Sequence, residues 1–166
     1  MDDSLDPPLR LPPKLPEGQL VWVAGGSVDA CSVTLRFFGE DLDPDEVTQL
    51  LGVDPRRAYR KGDIFRGKKY DIVQKTGSWQ CTIEKLAGVE LEDQINELLD
   101  RLPSDLGIWR ELTQRFEADL FCGLWMKRWN RCLDFAPQTL LKMGERGLIL
   151  QFDIYADCME IEEAIA

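Results

Sequence analysis

The 166-residue chain contains no histidine. That absence removes the most common general base, the Ser-His and Cys-His nucleophile pairs, and every metal site built on imidazole. Carboxylate or lysine chemistry remains open, so the chain is read as leaning away from an enzyme, with no catalytic residue assigned. Paired cysteines are missing too: five cysteines, an odd number without Cys-x-x-Cys spacing, do not make a disulfide framework or a zinc site. Cys31, Cys81, Cys122 and Cys132 instead fall in predicted strands, where small thiols pack as apolar groups. No metal or cofactor is expected. No apolar run approaches 18 residues, and the acidic, proline-rich start lacks the basic and apolar regions of a secretory signal. A cytoplasmic location without membrane contact is therefore the expectation.

Positive charge is in deficit as well. The formal charge is -10, and phosphate-rich partners call for clustered Lys and Arg, so nucleic acid is not an expected partner of the chain as a whole. The basic residues are also segregated. Between 56 and 75, eight Lys and Arg stand against Asp63 and Asp71, a net of +6 that leaves -16 for everything else.

What is present organises around residues 31 to 52. Cys31, Val33, Leu35 and Phe37 alternate with Ser32, Thr34 and Arg36, the two-residue period of a strand with one buried face. After the turn at Gly39-Glu40-Asp41, Asp43 is placed as an N-cap, Pro44 suits the first helical position, and Glu46 completes a capping-box pattern. Val47, Leu50 and Leu51 form the buried stripe, and Gly52 is placed to end the helix.

The first 17 residues carry five prolines and three aspartates and cannot build a core. Residues 1–28 are read as an arm, partly disordered, with Trp22 as its candidate anchor. The single domain is expected over 29–156 and an acidic tail over 157–166. Tyr70 and Ile72, then Trp79, Cys81 and Ile83, predict two antiparallel strands joined at Lys75-Thr76-Gly77. Leu91, Ile95, Leu98, Leu99 and Leu102 recur at helical spacing up to Pro103, and Ser104 or Asp105 can cap a second helix bearing Ile108, Trp109, Leu112 and Phe116. Leu120, Cys122, Leu124 and Met126 then alternate with Phe121, Trp125 and Lys127, and residues 131–135 are expected to pair back against them. Pro137 opens a short helix, and Leu148, Leu150, Phe152 and Ile154 make a final strand. This order predicts an α+β fold, a mainly antiparallel sheet with helices packed on one face. A strand leading into a proline-started helix occurs twice, at 35–52 and at 133–144, an echo that suggests two related halves.

The strand Ser32 to Phe38, the turn Gly39-Glu40-Asp41-Leu42-Asp43-Pro44-Asp45-Glu46, Leu51-Gly52-Val53-Asp54-Pro55, Lys61-Gly62-Asp63, Gly77-Ser78-Trp79, the helix through Leu98-Leu99 and the closing Phe152-Asp153-Ile154-Tyr155 together resemble the domain of unknown function 4279 family, found mainly in bacteria. The resemblance spans roughly Asp29 to Ala156. It implies a small cytosolic α+β domain with no assigned activity, and so carries over no catalytic residue.

Two groups of residues are candidate binding sites. On an extended strand Phe121, Trp125, Lys127 and Trp129 share the face opposite the core row, where two indoles flanking a lysine can stack a base or anchor a protein. Arg56, Arg57, Arg60, Lys61 and Asp63 form a basic loop that can hold a phosphate or an acidic peptide, or else pair with the chain's own carboxylates. The acidic turn does not match the spacing of a calcium loop. The leading expectation is an interaction module that binds another macromolecule, a protein partner or a second copy of itself; an immunity-type protein that neutralises a toxin is one concrete version. The competing class is a small-ligand or nucleotide-binding domain using residues 56–75.

Overall fold

The computed structural model describes residues 25–127 and 130–156. Residues 1–24 of the arm, with Trp22, the acidic tail and Trp129 lie outside the described residues, while Val28, read as part of the arm, is buried in the core. A five-stranded sheet runs in the order β2-β5-β1-β6-β7, and β3 and β4 form a separate two-stranded sheet. The elements are β1 (Ala30–Gly39), α1 (Pro44–Leu51), β2 (Arg57–Tyr59), β3 (Ile64–Arg66), β4 (Asp71–Val73), β5 (Gly77–Ala87), α2 (Leu91–Asp100), α3 (Leu106–Arg115), β6 (Glu117–Met126), α4 (Pro137–Glu145) and β7 (Ile149–Ala156). β1 is the central strand, antiparallel to β5 and β6, while β7 lies parallel to β6. This is the expected α+β class with a mainly antiparallel sheet. No described helix is long and apolar enough to cross a membrane.

One face of the sheet is the core. The register sets Phe37 beside Trp79 and Ala118, Leu35 beside Cys81 and Leu120, and Val33 beside Ile83 and Cys122. Residues directly opposed across strands share a face, so the alternation of β1 is continued into both neighbours. Helices close over this face through Val47 and Leu51 of α1, Leu91, Ile95, Leu98 and Leu99 of α2, and Trp109 and Leu112 of α3. Trp79 is fully buried, meets Phe37 edge-on with centroids 6.0 Å apart, and donates its indole N–H to Thr48 Oγ1 at 3.0 Å. A register shift between Cys31 and Val33 interrupts the ladder, and the buried Gln94 amide donates to the Cys31 carbonyl at 3.3 Å there.

The caps follow the sequence with one exception. Asp43 Oδ1 accepts from the Asp45 amide at 3.0 Å, and Gly52 ends α1 at φ +70°, a left-handed position that favours glycine. Glu46, expected to complete a capping box, instead gives both oxygens to Arg115 of α3 at 2.7 and 2.8 Å. Ala136 precedes α4 and has no side chain to cap with. Glu92 of α2 does the work, accepting from the Ala136 amide at 2.8 Å and the Thr139 hydroxyl at 2.5 Å.

Two expected pairings are not made. Residues 131–135 form no strand: β7 takes the place beside β6, α4 makes the crossover, and Cys132 is exposed in the connection. The 133–144 echo of β1-α1 thus has no strand in its first half. β4 pairs with β3 rather than with β5, which is already flanked by β2 and β1.

A candidate interaction surface

Alternation carries Ser32, Thr34, Arg36 and Phe38 to the face of the sheet opposite the helices. Register then brings Asp119 and Phe121 of β6 and Gln151 of β7 beside Arg36 and Thr34. Arg36 grips Asp119 with two hydrogen bonds, Nε to Oδ1 at 2.7 Å and an Nη to Oδ2 at 2.8 Å, and donates to Gln151 Oε1 at 2.9 Å. Its guanidinium lies 4.1 Å from the centre of the Phe121 ring and 5.3 Å from that of Phe38. A bidentate pair with an aromatic face beneath it is a strong arrangement for arginine.

Further along β6, Trp125 stacks on Tyr155, with centroids 5.1 Å apart and planes 10° from parallel. A Cβ on Gly123 would come within 2.7 Å of Trp125 Cη2. The indole therefore lies back along the sheet over a glycine that leaves room for it. Phe121 and Trp125 are thus brought to one face, as expected, and both are half-buried and partnered within the chain. Lys127 follows the end of the strand. β6 ends at Met126, and the Lys127 amide turns aside to donate to Asp29 Oδ2 at 2.9 Å, where the Arg131 guanidinium also binds at 2.6 Å. The Lys127 amide, with Arg131, holds the Asp29 carboxyl below its usual range.

The basic loop is spent on the chain's own carboxylates. Arg60 bonds Asp43 and Asp45, each at 2.6 Å, Lys61 bonds Glu40 at 2.7 Å, and Arg56 pairs with Glu84. Asp63 accepts from the Arg60 amide at 2.8 Å and closes the turn. Arg57 lies 5.3 Å from the Tyr59 ring centre and 5.5 Å from that of Phe65. Each of these five residues thus has a partner of its own within the chain. Arg60 and Lys61 fasten the loop after β2 to the start of α1 and the turn before it, and Lys61 in turn holds the Glu40 carboxyl below its usual range.

Beyond that anchor the chain projects as the β3-β4 hairpin, held to its stem by Gly62 and Gln74, which exchange amide bonds with Gln74 and Asp63 at 2.8 and 2.9 Å. Ile64 (61 % exposed), Tyr70 (79 %), Ile72 (60 %) and Val73 (57 %) stand in solvent. Phe65 alone reaches back, meeting Tyr59 edge-on at 5.6 Å. Arg66, Lys68, Lys69 and Lys75 form no ion pair among the described residues, whereas every cation from 56 to 61 has a carboxylate or aromatic partner. The sequence carried the signal in Ile64-Phe65, Tyr70 and Ile72-Val73, apolar residues interleaved with Lys and Arg. A two-stranded ribbon has no second layer to bury them.

Two clefts open beside the sheet. One, of about 280 Å³, is lined by Val53, Pro55, Arg56, Cys81, Leu98 and Arg101; the other, of about 350 Å³, by Thr113, Arg115, Phe116, Glu117, Gly147 and Ile149. Arg56 and Arg101 are paired with Glu84 and Glu97. Burial raises the Cys81 thiol and pushes Cys122 up to about 12, so neither supplies a thiolate at neutral pH. Among the described residues no three Asp, Glu or Cys side chains converge.

No curated protein and no solved structure matches the chain. The sequence model of one family, described as domain of unknown function (DUF4279), matches residues 29–157, more than half of the molecule and the whole of its sheet. The chain belongs to the DUF4279 family.

Proposed function

We propose that the chain is a non-enzymatic interaction module that binds another macromolecule, and that the β3-β4 hairpin is its docking element, fitted to an acidic protein surface. The observation that carries this reading is the hairpin itself. A ribbon exposing Ile64, Tyr70, Ile72 and Val73 is costly in water, and apolar groups held together on the surface of a soluble domain mark interaction sites. Arg66, Lys68 and Lys69 in the hairpin and Lys75 at its base form no ion pair among the described residues. A basic, aromatic tip on a body of charge -16 favours a partner that is acidic where the tip lands and limited in extent, because an extended polyanion would also repel the body. The outer-face residues Phe121 and Trp125 serve the fold in this reading, since each has its own stacking partner in the chain.

A pull-down from native lysate with three full-length baits tests it. Wild type and Trp125→Phe should recover the same protein, which Tyr70→Ser with Ile72→Ser should lose while keeping the wild-type circular dichroism melt. Recovery of an identical set of proteins by all three baits would refute the assignment to the hairpin. A co-purifying small molecule without any protein would favour the ligand-binding alternative, with the cleft between Arg56 and Arg101 as the place to look.

A further inference from the structure

Outside the hairpin, the exposed large apolar side chains other than Leu86 of β5 lie on α4 and on β7, the opposite edge strand of the sheet. Leu140 (49 % exposed) and Leu141 (61 %) of α4 join Ile149 (58 %), Phe152 (43 %), Ile154 (59 %) and Tyr155 (46 %) of β7. Thr139 and Lys142 turn toward α2, bonding Asn96 and Asp100 at 3.0 and 2.5 Å, so Leu140 and Leu141 face away from it. β7 is the edge strand of the sheet, eight residues long, and pairs on one side only among the described residues. Edge strands of soluble proteins are usually kept short, charged or interrupted by proline. The other edge obeys: β2 has three residues and begins with Arg57. β7 has no proline, no lysine and one charge, Asp153.

We propose that β7 pairs antiparallel with β7 of a second copy, making a symmetric dimer with a continuous ten-stranded sheet. The sequence of β7 is self-complementary about Phe152. With Phe152 on the two-fold axis, Leu150 faces Ile154 of the other copy on the helix side, while Gln151 faces Asp153 and Ile149 faces Tyr155 on the outer side. Apolar meets apolar, and the one carboxylate meets an amide that can donate to it. Centring on Asp153 would oppose two carboxylates, and centring on Gln151 would set Asp153 against Ile149. Composition thus favours one register over its neighbours. Six residues about half exposed carry on the order of 600 Å², at the low end of the roughly 600 to 1,000 Å² per partner that a stable interface takes. A hairpin would stand at each end of the joined sheet, on the order of 45 Å apart at about 4.8 Å per strand, so the dimer would be bivalent. This inference does not depend on the hairpin's role.

Sedimentation or light scattering on the full chain tests it. Wild type at tens of micromolar should show twice the 19.0 kDa chain mass. Ile154→Lys, at an exposed site, should raise the dimer Kd by about tenfold or more while leaving the melt in place. If that variant does not fold, Leu141→Lys on the helix surface decides in its stead. Phe152→Cys, in a background with Cys132→Ser and Cys158→Ser, should be joined to its copy by a short bis-maleimide, and that background without Phe152→Cys should not. A monomeric wild type would overturn the proposal. So would a dimer that survives Ile154→Lys or Leu141→Lys, or one in which Phe152→Cys gains no cross-link.

Discussion

The seating of Trp125 over Gly123 can be tested by adding one methyl group. In Gly123→Ala the new Cβ would sit 2.7 Å from Trp125 Cη2 and 2.9 Å from Ser32 Oγ. The serine hydroxyl can rotate away, whereas the indole, fixed against Tyr155 and the sheet, must lift. Overpacking of this kind costs about 1 to 3 kcal/mol. Against it, alanine loses less chain entropy on folding than glycine at a position without positive φ, a gain of about 0.4 to 1 kcal/mol. The single change should therefore destabilise by about 1 to 2 kcal/mol. In a Trp125→Ser background the obstacle is gone and the same substitution should be neutral or slightly stabilising. The coupling between the sites is then about 1.5 to 3 kcal/mol, well above the few tenths expected of independent positions. Urea melts of the four proteins at constant m-value read it directly. Equal costs of Gly123→Ala in both backgrounds would refute the seating of the indole and return Trp125 to the list of binding residues.

Trp79→Ala removes one of the two largest fully buried side chains and strands the Thr48 hydroxyl; a loss of about 3 to 5 kcal/mol should leave little folded protein by circular dichroism. Asp43→Ala should cost about 0.5 to 2 kcal/mol through the lost cap, and Asp43→Asn distinctly less, since asparagine still caps α1; a thermal melt ranks the two. Glu40, Glu46 and Glu92 are each held below the usual carboxylate range, chiefly by Lys61, by Arg115 and by the Thr139 hydroxyl. A depressed folded-state value means stability that is present above the ordinary glutamate range and lost as pH falls through the folded-state values. Melting temperature should thus drop on acidification below about pH 4.3, and Glu92→Gln should flatten that drop.

The parts legible in the sequence were those decided within a few residues. Alternation in β1 and β6, the Asp43 cap, the Gly52 stop and the stripe of α2 are local, and each stands where it was expected. Pairing is not local. Cys132, Leu133 and Phe135 alternate as a strand does, yet the parallel crossover to β7 leaves them in a connection whose Phe135 merely packs near Phe152, at 6.4 Å. Ile64 to Arg66 is too short to announce a strand, so spacing alone points β4 to β5 while its partner, β3, lies upstream. The candidate sites divide the same way. Phe121 and Trp125 could be placed on one face by period alone. The Arg36 that lies over Phe121, and the carboxylates that occupy Arg60 and Lys61, come from strands and turns brought near by the fold.

Amine-reactive footprinting of the full chain, alone and in native lysate, tests the docking role of the hairpin most directly. Lys68 and Lys69 flank Tyr70 at the hairpin tip, while Lys142, tied to Asp100 and Asn96 on the helix side, serves as the internal reference. The account expects Lys68 and Lys69 to be protected in lysate at unchanged Lys142 labelling, and the protection to vanish with Tyr70→Ser and Ile72→Ser. Unprotected Lys68 and Lys69 beside a newly protected Lys127 would contradict it and place the partner at the end of β6.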